Sequence, residues 1–261
     1  MIVPQLKGGL GNQMFTIAAG ISHALKTGNE FAINYNIKHH GQQGKPHITY
    51  RDNFYKNIKC TDFIPSYEYV EPKYSYSEIP DKQDVLINGY FQSEKYFDRY
   101  KSEINRSFNF ADDIKEKIDK KLQTLNKKIL GIHVRIGDYL SPVNYHSHFI
   151  CTDVYYKNAL KEFNLDDYIV IVCTDDPTNL FNVFPKQDII LSNCKSEIED
   201  LYLLSQCDAH ILTNSSFSWW SNFLGKEKEK TVVPDKWFGP HGPKDIQDVY
   251  REGWIKIATS L

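Results

Sequence analysis

The chain has no Cys-x-x-Cys pair, and its five cysteines (Cys60, Cys151, Cys173, Cys194 and Cys207) are odd in number and widely spaced. That usage excludes a disulfide framework or a cysteine zinc site and fits a reducing compartment. Cys173 and Cys207 lie in apolar surroundings and read as small core residues. No apolar run approaches the roughly twenty residues needed to cross a bilayer. The opening Ile2-Val3-Pro4-Gln5-Leu6 has the pattern of a core strand, not of a signal peptide. A soluble, cytoplasmic, bacterial protein is therefore expected. An excess of one charge is also lacking, since 31 Lys and Arg oppose 33 Asp and Glu for a net −2. Bulk electrostatics gives no reason to expect nucleic acid as a partner. There is no internal repeat and no low-complexity tract. His146-Ser147-His148 has no Cys or acidic cluster nearby to complete a metal site and reads as a solvated loop.

What the chain does have is apolar material for one large or two ordinary domains: 261 residues, 41% hydrophobic, with 17 Tyr and 15 Phe. Aromatics in that number suit carbohydrate handling and sheet cores alike. The first block, to about residue 125, begins with a strand, a loop over residues 7–12 and a helix from Met14 to Leu25 stopped by Lys26-Thr27-Gly28-Asn29. Strands follow at Phe31–Tyr35 and at 85–91, and the Tyr-rich stretch 36–83, broken by prolines, reads as irregular. Residues 111–128 put Ile114, Ile118, Leu122 and Leu125 on one stripe of a charged surface helix. The second block alternates strands (129–134, 168–174, 188–192, 209–213, 231–233) with helices (153–163, 176–183, 197–207, 216–225). Such alternation means a doubly wound parallel sheet, and two such blocks imply a cleft between them.

Chemistry-bearing residues fall at the carboxyl ends of these strands, where open α/β sheets bind ligands. Gly131-Ile132-His133-Val134-Arg135-Ile136-Gly137-Asp138-Tyr139 runs from a buried strand into His, Arg and Asp. An arginine followed by a glycine there suits a phosphate, and an Arg135–Asp138 ion pair closing a loop is the alternative. Lys7-Gly8-Gly9-Leu10-Gly11-Asn12-Gln13 precedes a helix whose amino terminus offers N–H groups to an anion. It matches neither Gly-x-Gly-x-x-Gly nor a Walker loop, and it also reads as a simple βα turn. A helix over 198–207 carries Asp200, and the strand at 209–213 delivers Asn214, Ser215, Ser216 and Phe217 to a helix amino terminus. The serines there suit phosphate oxygens and helix capping equally. Trp219-Trp220 reads as core.

Taken together, Gly8-Gly9-Leu10-Gly11-Asn12-Gln13-Met14-Phe15, His133-Val134-Arg135-Ile136-Gly137-Asp138-Tyr139 and Thr213-Asn214-Ser215-Ser216-Phe217-Ser218-Trp219-Trp220 resemble, in order and spacing, motifs of the α-1,2-fucosyltransferases, glycosyltransferase family 11. Val232-Val233-Pro234-Asp235-Lys236-Trp237-Phe238 resembles a further motif of that family. The resemblance spans nearly the whole chain. It implies an α/β, GT-B-like fold of two Rossmann-type domains facing a cleft, with residues 1–125 on the acceptor side and 126–261 binding GDP-fucose. It also implies an inverting transfer of L-fucose to O2 of a galactose in a glycan or surface-polysaccharide repeat, lipid-linked acceptors and the inner membrane included, with no cofactor and no obligatory metal.

By similarity to the related α-1,6- and protein O-fucosyltransferases, Arg135 would hold the β-phosphate, and His133 would lie against the nucleotide. Asp200 would bind guanine and Ser215-Ser216 grip the diphosphate, while Asn12 would face the reacting sugar. Gly9, Gly11, Asn214 and Phe217 complete the expected donor-binding set. Arg135, Asp138 and Asn12 are the catalytic candidates, Asp138 as a general base or merely as a residue that orients Arg135. Where the common pattern has a second arginine, this chain has Ile136. Another linkage or acceptor, a non-catalytic nucleotide-sugar-binding protein and an NAD-dependent dehydrogenase are the rival readings.

Overall fold

Ile2 and Val3 are fully buried, and with Pro4 they form β1 (Ile2–Pro4). The computed structural model describes residues 1–38, 44–140, 146–180 and 189–259, apart from the side chains of Asp138, Leu140 and Asn179. These residues fall into two compact units, the first of residues 1–111 and 245–251, the second of 112–244 and 252–261.

In the first unit the chain leaves β1 and enters α1 (Leu10–Thr27), which ends on Gly28 in the left-handed conformation, its N–H capping the Ala24 carbonyl. The helix starts earlier than its apolar periodicity suggested: Gly11 and Asn12 lie in its first turn, not in the loop. What makes the short connection possible is Gly8, at φ +69, a region closed to most side chains. β2 (Tyr67–Val70) and β3 (Val85–Asn88) complete a parallel sheet of order β1-β3-β2. The strand expected at 31–35 reduces to isolated bridges, Phe31 to Ile2 and Ile33 to Cys60. The stretch read as irregular holds β2 and a 3-10 turn at His47–Tyr50. A short helix, α2 (Lys101–Ser107), was not anticipated. Residues 245–251 belong to this unit through Asp245, which accepts from the Ser75 N–H at 2.8 Å, and through an Arg251–Glu94 ion pair at 2.7 Å.

The second unit opens with α3 (Asp112–Gln123), the charged helix, which buries Ile118. It is tied to its own unit by Lys117–Glu199 at 2.6 Å and by the Tyr202 hydroxyl donating to Asp119 at 3.0 Å. Then come β4 (Lys128–Val134), α4 (Asp153–Leu160), β5 (Tyr168–Thr174), β6 (Ile189–Leu191), α5 (Glu197–Ser205), β7 (Ala209–Ile211), α6 (Ser216–Leu224), β8 (Thr231–Pro234) and β9 (Ile255–Ile257). The helix expected over 176–183 is a 3-10 turn at Pro177–Asn179, and 181–188 lie outside the described residues. The short strand β9 was not anticipated from the sequence.

All pairings in this sheet are parallel, in the order β6-β5-β4-β7-β8-β9. Counted from β4, that is the 3-2-1-4-5-6 order of a dinucleotide-binding fold, with its switch point between β4 and β7. β4 is buried from Ile129 onward, as a strand covered on both faces must be. Trp219, Trp220 and Phe223 on α6 are fully buried, each contributing on the order of 1.5–3 kcal/mol by burial. Gly131 lets α5 approach β4 closely, since a Cβ there would lie 2.7 Å from Cys207 Sγ and 3.1 Å from Leu204 Cδ2. Gly131→Ala should therefore cost about 1–3 kcal/mol through overpacking, read as a lower midpoint in thermal or urea unfolding.

Candidate functional site

The polar groups of the second unit gather where β4, β5 and β7 end. On β4, His133 pairs in register with Cys173 of β5. Its side chain lies against Phe217 of α6, with ring centroids 5.2 Å apart. Burial, with the Arg135 charge alongside and only partly opposed by Asp175, lowers the His133 imidazole from 6.5 to about 3. Its Nδ1 is buried with no hydrogen-bond partner, a cost of about 1–3 kcal/mol where nothing compensates.

Two residues on, Arg135 is partly exposed, with Nε 3.2 Å from Asp175 Oδ2. Its guanidinium lies 5.7 Å from the Tyr139 ring centroid. Asp175 also accepts from the Ile136 N–H at 3.0 Å, and a Cβ on Gly137 would sit 2.8 Å from its Oδ2. Asp175 thus fixes both the arginine and the turn that follows it. The sequence reading missed this residue, although its place directly after β5 was the available signal. Ile136 packs against the apolar core of the unit, so the position lacking the second arginine is filled by a core contact. The side chain of Asp138 lies outside the described residues, and with it the Arg135–Asp138 alternative.

α5 returns from the carboxyl end of β6 to the start of β7, which brings its first turns to the same edge of the sheet. Asp200 lies there, beside the thiols of Cys173 and Cys194, and its Oδ1 is buried without a partner. Burial first, and then the Asp200 carboxylate, push the Cys194 thiol up to about 12.

β7 leads into Thr213 and Asn214. The Asn214 amide donates to the Phe149 carbonyl at 2.7 Å and to the Trp237 carbonyl at 2.9 Å, while its Oδ1 accepts from Thr213 Oγ1 at 3.0 Å. Both donors are committed, which makes Asn214 a strut between loops. Ser215 is the N-cap of α6, its hydroxyl accepting from the Phe217 N–H at 3.3 Å. Ser216 and Phe217 are half-buried.

Gly9, Gly11 and Asn12 belong to the first unit. The Gly9 carbonyl accepts from the Asn12 and Gln13 N–H groups at 3.0 and 3.1 Å. Asn12 Oδ1 accepts from Gln92 at 2.8 Å. Neighbouring Lys7 donates to Asn88 Oδ1 at 3.0 Å; burial lowers its ammonium, with Glu71 and Glu68 pulling the other way.

Among the described residues no group of three or more His, Cys, Asp or Glu could hold a metal ion. Of the histidines read as a solvated loop, His148 stacks on Tyr139 at 4.5 Å and His146 lies against His241 at 5.2 Å. No described helix is long and apolar enough to cross a membrane.

The state of His133 has a consequence for acid stability. A histidine with a depressed folded pKa costs nothing above its unfolded value of 6.5 and destabilises the fold as pH falls from there toward about 3. His133→Gln should accordingly flatten the loss of stability across that window, measured as the urea midpoint at successive pH values. His210, lowered to about 3 by burial first and the Lys228 charge second, contributes a slope in the same window that the substitution leaves in place.

Comparison with known proteins agrees with this architecture. An α-1,2-colitosyltransferase of Escherichia coli is 25% identical over 294 residues, taking in 98% of this chain and 99% of its own. The O-antigen biosynthesis glycosyltransferase WbnK of Escherichia coli is also 25% identical, over 97% of this chain and 99% of its own. The fucosyltransferase NodZ from Bradyrhizobium shares the fold with a TM-score of 0.59 at 18% identity, covering 92% of this chain and 96% of that one. A NodZ crystal soaked with GDP-fucose gives a TM-score of 0.56. The two parallel α/β units are thus GT-B-like. The family model for glycosyl transferase family 11 matches residues 5–258, and the chain belongs to that family.

Proposed function

We propose that the protein transfers L-fucose from GDP-fucose, with inversion, to O2 of a galactose in a glycan or surface-polysaccharide repeat. The observation that carries this reading is the pair of buried polar atoms without partners in the second unit, His133 Nδ1 and Asp200 Oδ1, one where β4 ends and one where α5 begins, at the carboxyl edge of a nucleotide-binding sheet. Buried groups of this kind normally find a partner, and a guanine nucleotide supplies N–H donors for the carboxylate and polar atoms for the imidazole. In this proposal the second unit holds GDP-fucose through His133, Arg135, Asp200, Ser215, Ser216 and Phe217, and the first unit serves the acceptor.

The chemistry follows from the charge that develops. Cleavage of the fucose–phosphate bond leaves a diphosphate with extra negative charge. Arg135, its Nε held by Asp175, stabilises that charge together with the Ser216 hydroxyl and the N–H groups at the start of α6. The galactose O2 attacks the anomeric carbon from the opposite face and gives up its proton, for which Asp138 is the candidate base. His133 stays neutral beside the nucleotide and adds no positive charge. Asn12 meets the sugar, and Asn214 holds the loops that shape the site. A colitosyl donor is the second reading, favoured by the E. coli relative of that name. We place the enzyme in the cytoplasm, acting at the inner membrane on a lipid-linked acceptor and without a required metal.

Purified protein given GDP-fucose and lactose, with and without EDTA, should release GDP and form fucose α-1,2-galactose in both cases. Donor binding without transfer to any galactoside would sink the enzyme reading, and a preference for the colitosyl donor would replace fucose with colitose. Arg135→Ala should cost roughly 2–4 kcal/mol of transition-state stabilisation, and near-normal turnover would remove its phosphate role. Asp200→Ala should raise the donor KM more than it lowers kcat, so an unchanged KM would take it out of the guanine site.

A further inference from the structure

The first unit contains a buried relay that ends on Asn12. β3 ends at Asn88, and the chain turns through Gly89, Tyr90 and Phe91, the last at φ +49, a left-handed conformation costly for a phenylalanine. Two elements hold that turn. Glu71, just after β2, accepts from the Tyr90 N–H at 2.7 Å and the Phe91 N–H at 3.1 Å, and Thr16 of α1 donates to the Gly89 carbonyl at 3.0 Å.

The turn delivers Gln92, which is only 5% exposed. Its Nε2 donates to Asn12 Oδ1 at 2.8 Å, and its Oε1 accepts from the Tyr74 hydroxyl. Gln92 is therefore bonded at both ends of its amide. In this arrangement the Asn12 oxygen is turned inward and occupied. Its Nδ2 donates to no acceptor among the described residues, and it is not among the buried atoms left without a partner. Asn12 itself is half-buried, so its exposed polar group is a donor. Gly8 leaves room for that group, since a Cβ there would lie 2.5 Å from Asn12 Nδ2.

We propose that Gln92, oriented by Tyr74, is a positioning residue that turns Asn12 so that its amide nitrogen, and not its oxygen, meets the bound sugar. Asn12 then recognises a sugar oxygen, whether a hydroxyl or the ring oxygen, by giving it a hydrogen bond. It cannot accept the proton of an attacking hydroxyl. This rests on the sugar transfer proposed above.

The test exploits the difference between an amide and a carboxyl. In Gln92→Glu, the introduced carboxyl donates to Asn12 Oδ1 while protonated and can only accept once ionised, which forces the Asn12 amide to flip. Relative to wild type, the variant's kcat should be near normal at low pH and fall about ten- to a hundredfold as pH rises through the titration of that carboxyl. Its donor KM should change little. A profile parallel to wild type, or one that recovers at high pH, overturns the proposal. Tyr74→Phe, which keeps the ring and releases one end of Gln92, should lower kcat with the donor KM unchanged.

Side-chain amide exchange in the wild-type protein gives a reading independent of activity. The Gln92 Nε2 hydrogens should be protected and the Asn12 Nδ2 hydrogens should exchange quickly, and the reverse pattern overturns the orientation. Absence of transfer by wild type under all conditions would instead overturn the function on which the proposal rests.

Discussion

Burial of β4 on both faces is the constraint from which the second unit follows. A strand that lies between β5 and β7 and is covered by helices can carry polar side chains only where it leaves the sheet. His133 and Arg135 are therefore confined to its carboxyl end, and the parallel arrangement puts the ends of β5 and β7 beside them. Asp175 after β5 and Ser215 after β7 arrive there for the same topological reason. These polar groups therefore share one edge of the sheet.

Electrostatics at that edge divides into groups that are satisfied and groups that are not. Arg135 has Asp175, Asn214 has two carbonyls, and Ser215 has the N–H of Phe217. His210, deeper in the same unit, is neutral and bonded through Nε2 to the Leu204 carbonyl at 2.7 Å. His133 is equally buried, yet its Nδ1 has no such partner. Of these two buried histidines, only His210 has its buried ring nitrogen satisfied within the fold.

The first unit solves a different problem. Its parallel sheet has three short strands, and much of its order comes from side-chain hydrogen bonds instead of ladder pairing. Glu71 and Thr16 hold the turn after β3, Gln92 links Tyr74 to Asn12, and Asp245 and Arg251 tie a distant part of the chain to Ser75 and Glu94. Burial dominates the Glu71 carboxyl and pushes it above its ordinary range, although the backbone N–H groups it accepts pull the other way. A carboxylate used in this manner is a clamp.

The amino-acid sequence by itself determined the parallel α/β class, the helices α4, α5 and α6 to within a few residues, β4 and β5, and the placement of His133, Arg135, Asp200 and Ser215 at strand or helix ends. These are local properties: apolar periodicity, β-branched runs and capping residues act over a few positions and can be read there. Only the tertiary structure decided that Asp175 holds Arg135, that Asn214 is a strut, that Ile136 is a core contact and that Gln92 orients Asn12. It also decided that residues 245–251 belong with the first unit, while the charged helix of 112–123 packs with the second. Each of these depends on a partner tens of residues away, such as Asp175 from Arg135 or Gln92 from Asn12, and local periodicity carries no record of such a partner. Side-chain hydrogen bonds and ion pairs come into being only when the fold brings both groups to the same place, so the sequence could supply the groups but not their pairing.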